Sequence, residues 1–241
     1  MTAWPVGYAL KSFDAIDSTN EEARRLAAMG ERGPLWIEAA RQTAGRGRRG
    51  RSWESPAGNL AATLLIAPGK PAAECAQLSF VAAVAAVDAV ASFAGNAEVK
   101  AKWPNDVLAD GRKLAGILLE SQGDWLAMGV GINLAHFPPD TEFPATSLAA
   151  LGVPAPDRHD ALTQLAAQFA KWYETWRGQG FGPIREAWLA RAAGLGKRIR
   201  ARLAQGEHVG VFEGIDETGA LILREDGGKT RTVSAGEVFF G

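Results

Sequence analysis

The sequence has little cysteine, no excess of either charge and no hydrophobic run long enough to cross a membrane. Its single cysteine, Cys75, excludes an internal disulfide framework and fits a reducing cytosol. The longest apolar tract, residues 78–95, is interrupted by Asp88 and falls short of the about 20 residues that a membrane span needs. The amino terminus has no basic start followed by an apolar run, unlike a signal peptide. We therefore expect a soluble, cytoplasmic protein with no membrane partner.

The composition is that of an ordinary globular protein. Hydrophobic residues make up 47% of the 241 residues and charged residues 22%, which argues against disorder. A chain of this length holds one large domain, or a medium domain with a small appendage. We find no internal repeat and no low-complexity tract.

The first half of the chain alternates between strand-like and helical patterns. A short strand leads into a helix, and Ser18 followed by Glu21 has the spacing of a capping box. A second helix is predicted over residues 74–94, followed by short strand-like runs, the last two close enough for a hairpin. Clustered antiparallel strands flanked by helices predict an α+β fold. The predicted strands are 35–41, 58–67, 97–103, 113–122 and 124–134.

The second half predicts a pair of helices and then a small β-structure. Helices are expected over residues 160–176 and 182–193, with Trp172, Trp176 and Trp188 in the core. From residue 197 onward, short alternating strands and glycine turns predict a β-barrel or meander of about 45 residues. We therefore divide the chain into residues 1–194 and 195–241.

The segment RQTAGRGRRGRSW, residues 41–53, concentrates the positive charge of a chain that is otherwise nearly neutral. It holds five arginines and three glycines and no acidic residue, whereas the whole chain has a net charge of −1. Such a segment can bind nucleic acid, close over a small anion such as a nucleotide phosphate, or be a solvated loop. Only KRIRAR, residues 197–202, has comparable charge, and a nucleic-acid binder usually spreads its positive face more widely. This favours a small anionic ligand.

Other short segments combine polar residues with glycine at predicted strand ends. In KWPND, residues 102–106, a plain turn is the simpler interpretation, and a phosphate-facing Lys102 with a metal-binding Asp106 is the functional one. Lys113 opens the apolar segment KLAGILLE, where it can simply extend to solvent. Gly116 in that segment and the glycines of GVGIN, residues 129–133, leave room for a ligand near the backbone. None of these three segments is specific alone, but together with the arginine segment in one small sheet they suggest a site.

Together these segments resemble those of biotin protein ligases. The resemblance is carried by DSTNEEA, GRGRRGRSW with SPAGNL, KWPNDVL, KLAGILLE and GVGINL, in this order and spacing, and it covers nearly the whole chain. It implies a catalytic domain similar to class II aminoacyl-tRNA synthetases, followed by an SH3-like barrel. The implied reaction first joins biotin and MgATP into biotinyl-5′-adenylate, releasing pyrophosphate. Biotin is then transferred to one lysine of a biotin carboxyl carrier domain, usually that of acetyl-CoA carboxylase.

The resemblance also implies roles for individual residues. Lys113 would bridge the biotin carboxylate and the α-phosphate as the catalytic residue, together with Arg48 of the arginine loop. Asp106 would assist Mg²⁺, and Phe143 is a candidate for covering adenine. Biotin would contact Ser18, Thr19, Asn20, Gln42, Gly45, Arg46, Gly47, Arg48, Lys113 and Gly116. ATP and its phosphates would contact Arg46, Arg48, Arg49, Arg51, Lys102, Asn105, Lys113 and Asn133.

Three alternatives remain at this point. A lipoate protein ligase has the same broad fold and performs the same adenylation on a different acid. A nucleic-acid-binding module would show steeply salt-dependent affinity and no ATP turnover. A non-catalytic biotin sensor is disfavoured by the presence of both Lys113 and Arg48. About a dozen residues precede the first predicted strand, too few for a helix-turn-helix, so we expect no DNA binding. A homodimer is compatible with the sequence.

Overall fold

The computed structural model describes residues 2–240, which form a mixed sheet covered by helices and a second, antiparallel sheet. The first sheet contains β1 Ala9–Phe13, β2 Leu35–Ala39, β3 Leu60–Ile66, β4 Val99–Lys102, β5 Asp106–Ala109, β6 Arg112–Gln122 and β7 Trp125–Ile132. The helices are α1 Thr19–Ala28, α2 Ala72–Cys75, α3 Leu78–Ala91, α4 Arg158–Gln179 and α5 Phe181–Ala190. The second sheet contains β8 Arg198–Leu203, β9 Gly206–Ile215, β10 Leu221–Glu225, β11 Thr230–Val233 and β12 Glu237–Phe240.

The first sheet has the strand order β1-β2-β3-β7-β6-β5-β4 and carries helices on both faces. Strands β1 and β2 are parallel, and every other pair is antiparallel. Successive side chains of a strand point to opposite faces. Accordingly, Ile37 packs in a small cluster with Ala23 of α1. Its neighbour Trp36 belongs to the main core and meets Phe169 of α4 edge to face, with ring centroids 6.1 Å apart.

The long apolar tract forms the central helix of the main core. Contrary to the sequence-based expectation, residues 72–91 are long and apolar enough to cross a membrane by length and composition alone. Most of their side chains are buried, however, because α3 packs against α4, α5 and the first sheet. The prediction of a buried helix is therefore confirmed, although α2 is separated from α3 by a short break. Burial on several sides explains why the helix is apolar around its whole circumference.

The second sheet has the strand order β11-β10-β9-β8-β12, with β11 and β12 as its edges. It shares one hydrophobic cluster with the first part of the chain. Trp188 of α5 contacts Phe80 of α3 and Phe212 of β9, with ring centroids 5.5 and 6.3 Å apart. The indole nitrogen of Trp103 donates a hydrogen bond to the Gly219 carbonyl at 3.0 Å. The second sheet is thus anchored on the core that supports the first.

Three details differ from the sequence-based expectations. The capping box is wrong: Ser18 occupies the N-cap position of α1, but its side chain makes no capping hydrogen bond. The carboxylate of Glu21 binds Arg24 and Arg46 instead, since charge-assisted bonds are stronger than a bond to a backbone amide. Strand β5 was missed because its four residues directly follow the Pro104 turn. Trp176 and Trp188 are buried as predicted, whereas Trp172 is half-buried at the edge of the core.

Candidate active site

A cleft of about 410 Å³ opens between the start of α1, the arginine loop (residues 45–51), strands β6 and β7, the segment 138–143 and β12. Nearly all of the site residues implied by the resemblance to biotin protein ligases line this cleft. Those lining it are Ser18, Thr19, Asn20, Gln42, Arg46, Gly47, Arg48, Arg51, Lys102, Asn105, Asp106, Lys113, Gly116 and Asn133. Phe143, the candidate for covering adenine, also lines it.

Two of the selected residues lie outside the lining. Gly45 packs against the backbone of Trp53, and a Cβ added there would lie 2.9 Å from Gln42 Nε2. Its small size therefore supports the wall of the cleft rather than the cavity itself. Arg49 is exposed and has a left-handed backbone, with φ of 58°.

One end of the cleft is a buried polar pocket at the start of α1. The backbone amide of Thr19 donates to Gln42 Oε1 at 2.8 Å, and Gln42 Nε2 donates to Ser55 Oγ at 2.9 Å. The Thr63 hydroxyl lies 2.7 Å from Thr19 Oγ1 and donates to Asn20 Oδ1 at 2.6 Å. Buried polar groups that are mutually bonded hold one arrangement. This end of the cleft therefore presents fixed donors and acceptors to a ligand.

An aromatic wall lies next to the polar pocket. Gly116 and Gly131 face each other across β6 and β7, which leaves a flat patch without side chains. The Trp53 ring covers this patch: a Cβ added at Gly131 would overlap the indole, and one added at Gly116 would lie 3.1 Å from it. The Lys113 ammonium lies 5.6 Å from the Trp53 ring centroid. The wall thus connects the polar pocket to the cationic end of the cleft.

The opposite end of the cleft is built around a buried ion-pair cluster. Lys102 and Asp106 are opposite residues of β4 and β5, and Lys102 Nζ lies 3.4 Å from Asp106 Oδ2. Lys113 Nζ lies 2.7 Å from Asp106 Oδ1. Burial raises the pKa of the Asp106 carboxyl, but the two lysines outweigh it and hold that pKa below its usual range. The cluster carries a net positive charge that faces the cleft.

Burial and neighbouring cations lower the pKa values of two basic groups at this end of the cleft, Lys102 and Arg48. Burial lowers the pKa of the Lys102 ammonium, against the opposing attraction of Asp106. Burial also lowers the pKa of the Arg48 guanidinium, which donates to Asn105 Oδ1 at 3.1 Å. Desolvated cations interact strongly with an anion that enters the same site. This end of the cleft is therefore suited to bind phosphate groups.

The arginine loop is attached to both sides of the cleft. Arg46 pairs with Glu21 of α1 and lies 3.8 Å from Glu120 of β6. Arg51 pairs with Glu237 of β12. The loop therefore bridges the first helix and the second sheet.

Residues far along the chain complete the cationic end of the cleft. Glu237 and Phe239 of β12 line the cleft. Phe143 contacts Phe239, with ring centroids 6.5 Å apart, and Lys102 Nζ lies 4.2 Å above the Phe143 ring. Asn133, also at this end, donates from Nδ2 to the Thr146 carbonyl at 3.0 Å and is buried. The second sheet is thus part of the cleft.

Sequence reasoning missed Trp53, Glu237 and Phe239, which line the cleft, and also Thr63 and Glu120, which bond the Asn20 side chain from outside that lining. Trp53 is the last residue of the arginine-rich segment 41–53, and this position is the signal that could have selected it. Thr63 and Glu120 sit inside or at the end of apolar strands, where a lone polar residue is a weak signal. Glu237 and Phe239 follow the site's other segments by nearly a hundred residues and carry no local pattern.

The predicted metal role of Asp106 does not fit the residues present. Its carboxylate faces two lysine ammonium groups, which compete with a cation for the same oxygens. Within residues 2–240, no group of three or more His, Cys, Asp or Glu side chains could hold a metal ion. The two lysines therefore disfavour Asp106 as a metal ligand.

Comparison with known proteins agrees with this geometry. Residues 13–135 match the model of the biotin/lipoate A/B protein ligase family, and residues 194–241 match that of the biotin protein ligase C-terminal domain. The chain is 49% identical over 237 residues to a biotin–[acetyl-CoA-carboxylase] ligase of Paracoccus denitrificans, covering 93% of this chain and 98% of that protein. This chain belongs to the biotin protein ligase family.

Other members of the biotin protein ligase family show how far the likeness extends. The bifunctional ligase/repressor BirA of Bacillus subtilis is 35% identical over 240 residues, and the match covers 95% of this chain and 74% of that protein. A biotin protein ligase from Aquifex aeolicus, solved in complex with biotin and ATP, superposes with a TM-score of 0.84 at 27% identity. That match covers 96% of this chain and 97% of the Aquifex chain, so both sheets are shared.

Proposed function

We propose that this protein activates biotin with ATP, forming biotinyl-5′-adenylate and pyrophosphate, and then transfers biotin to a lysine of a biotin carboxyl carrier domain of acetyl-CoA carboxylase. The observation that carries this proposal is one continuous cleft with a fixed polar pocket at one end and a buried cationic cluster at the other. The polar pocket suits the ureido head of biotin, and the cationic cluster suits ATP phosphates. The Trp53 wall lies between them, where the apolar chain of biotin would run.

The chemistry of adenylation explains the positive charge. The biotin carboxylate attacks the α-phosphate of ATP, so two anionic groups must approach each other. We assign Lys113 to bridge the carboxylate and the α-phosphate, with Arg48 holding the same phosphate. Arg49 and Arg51 remain candidates for the leaving pyrophosphate. A loop that covers the mixed anhydride would also keep water from it.

Several finer features remain proposals. We propose a class II synthetase-like fold for residues 1–194 and an SH3-like fold for residues 195–241. Residues 1 and 241 themselves lie outside the part of the chain that the structure describes. The strand order of β8–β12 supports the SH3-like fold. The sheet does not close into a barrel, however, because β11 and β12 are its two edges. Mg²⁺ is proposed as a companion of ATP. Cytoplasmic location, assembly into a homodimer and the absence of a nucleic-acid partner remain predictions from the sequence.

ATP–pyrophosphate exchange tests the proposed function. The assay is run with biotin, with lipoate and with neither acid. We expect exchange that requires biotin, because formation of the adenylate is reversible and releases pyrophosphate. Exchange with lipoate alone would identify a lipoate ligase that works by the same mechanism. No exchange with either acid, together with biotin binding, would indicate a sensor, and salt-sensitive nucleic-acid binding without exchange would support the nucleic-acid module.

The ring of Phe143 provides a separate test of the ATP end. It lines the cleft beside Phe239, and we propose that it covers adenine. Replacing Phe143 with alanine should raise the KM for ATP about tenfold, since stacking on a base is worth about 1–3 kcal/mol. The KM for biotin should stay within about twofold of wild type, and Phe143→Trp should restore ATP affinity. Equal changes in both KM values would show that the ring supports the whole cleft instead.

A further inference from the structure

The side chain of Asn20 is held at the bottom of the polar pocket with little freedom. Asn20 is buried at the first turn of α1, and its amide lies against Gly129 of β7, where a Cβ would overlap Oδ1. Its Oδ1 accepts a hydrogen bond from Thr63 Oγ1 at 2.6 Å. Close contact with the bare backbone of Gly129 fixes where the amide lies, but not which of its two polar ends faces Thr63, since a threonine hydroxyl can both donate and accept.

Glu120, which lies outside the cleft lining, fixes which end of the Asn20 amide faces Thr63. Its Oε2 accepts a hydrogen bond from Asn20 Nδ2 at 2.6 Å. An ionised carboxylate can only accept, so the NH₂ end of the amide must face Glu120 and the oxygen must face Thr63. Glu120 is not part of the cleft lining, and its side chain is partly exposed on β6. A residue outside the cleft lining thus determines which polar atom of the Asn20 amide faces Thr63.

Glu120 also faces the arginine loop. Its Oε1 lies 3.8 Å from Arg46 Nη2, and Arg46 pairs in addition with Glu21. The same carboxylate therefore connects the loop that covers the cleft with the amide at its bottom. No other residue of the described chain is bonded to Asn20 Nδ2.

We propose that Glu120 is a positioning residue for recognition of the acid substrate: it orients the amide of Asn20 in the pocket that binds the biotin head group. This inference rests on the proposed function, because that function assigns the pocket to biotin. When Glu120 is absent, Asn20 Nδ2 loses a charge-assisted bond and the amide can turn over. The affinity for biotin then falls, while the ATP end of the cleft, which lies at the opposite end of β6 and on β4, β5 and β12, keeps its cationic groups.

The test compares Glu120→Ala and Glu120→Gln with wild type in biotin-dependent exchange, and adds the melting temperature of each variant. We expect Glu120→Ala to raise the KM for biotin about tenfold, the loss typical of a hydrogen bond to a charged group. The KM for ATP and kcat should remain within about twofold of wild type. Glu120→Gln should recover most of the affinity for biotin, because its amide oxygen still accepts from Asn20. Glu98→Gln serves as the matched control, since Glu98 is an exposed carboxylate that pairs with Lys100.

A double-mutant cycle shows whether Glu120 acts through Asn20. If it does, Glu120→Ala should add less than about twofold to the KM for biotin in an Asn20→Ala background. Full additivity of the two effects, or parallel loss of biotin affinity, ATP affinity and melting temperature, would overturn the proposal. An unchanged KM in Glu120→Ala would overturn it as well while leaving the proposed function intact. Lack of exchange by the wild-type protein would instead remove the proposed function and this inference together.

Discussion

Replacement of Lys113 by alanine is expected to lower the rate of biotin-dependent ATP–pyrophosphate exchange by about 10²–10³-fold, the usual loss when one charge-stabilising group is removed from a reaction centre. Lys113 opens β6 at the cationic end of the cleft, and its ammonium lies beside both Asp106 and the Trp53 ring. We propose that it neutralises the carboxylate and the α-phosphate as they meet. Its removal should therefore reduce kcat more than it raises either KM.

Two controls separate this chemistry from a loss of structure. Removing Lys113 leaves the buried Asp106 with Lys102 as its remaining lysine partner, so the melting temperature of the variant must be measured alongside its rate. Lys100→Ala is the matched control, because Lys100 lies on β4 with a partly exposed side chain and pairs with Glu98. Lys113→Arg retains the charge in a different shape and should recover only part of the rate. Exchange at the wild-type rate in a folded Lys113→Ala protein would contradict the assigned role.

Replacement of Trp188 by alanine is expected to lower the free energy of unfolding by about 3–5 kcal/mol, as for other fully buried aromatic side chains. Trp188 has no exposed surface and joins α3 to the second sheet through Phe80 and Phe212. The cavity left by the indole would therefore loosen the contact between the two sheets as well as the helical layer. Chemical denaturation followed by fluorescence and circular dichroism gives the size of the loss.

The same experiment addresses the division between residues 1–194 and 195–241. Because one hydrophobic cluster runs through both parts, we expect a single cooperative transition for the wild type and for Trp188→Ala. Trp172→Ala is the matched control: its ring is half-buried and its nitrogen bonds Asp88, so a loss of about 1–2 kcal/mol is expected. Two separate transitions in the wild type would show that the second sheet unfolds independently.

The sequence predicted the cleft better than it predicted the contacts inside it. Segments with a local signal, such as the arginine loop and the strand that begins near Lys113, were located within a few residues of their observed positions. The capping box failed because its geometry was judged from spacing alone, whereas Glu21 has two arginines within reach in the folded chain. Strand β5 was missed because four residues after a proline turn carry no periodic pattern.

By itself, the sequence determined the α+β character, the family and the chemical types that a carboxylate-activating site needs, because these depend on composition, short-range spacing and local backbone preference. Only the tertiary structure decided that Asp106 lies between two lysines, that Trp53 covers the paired glycines, and that Glu120 accepts a hydrogen bond from Asn20. It also decided that β12 brings Glu237 and Phe239 into a cleft opened by α1. The physical reason is distance along the chain: Asn20 and Glu120 are a hundred residues apart, and contacts of that kind exist only once the sheet and its helices have packed.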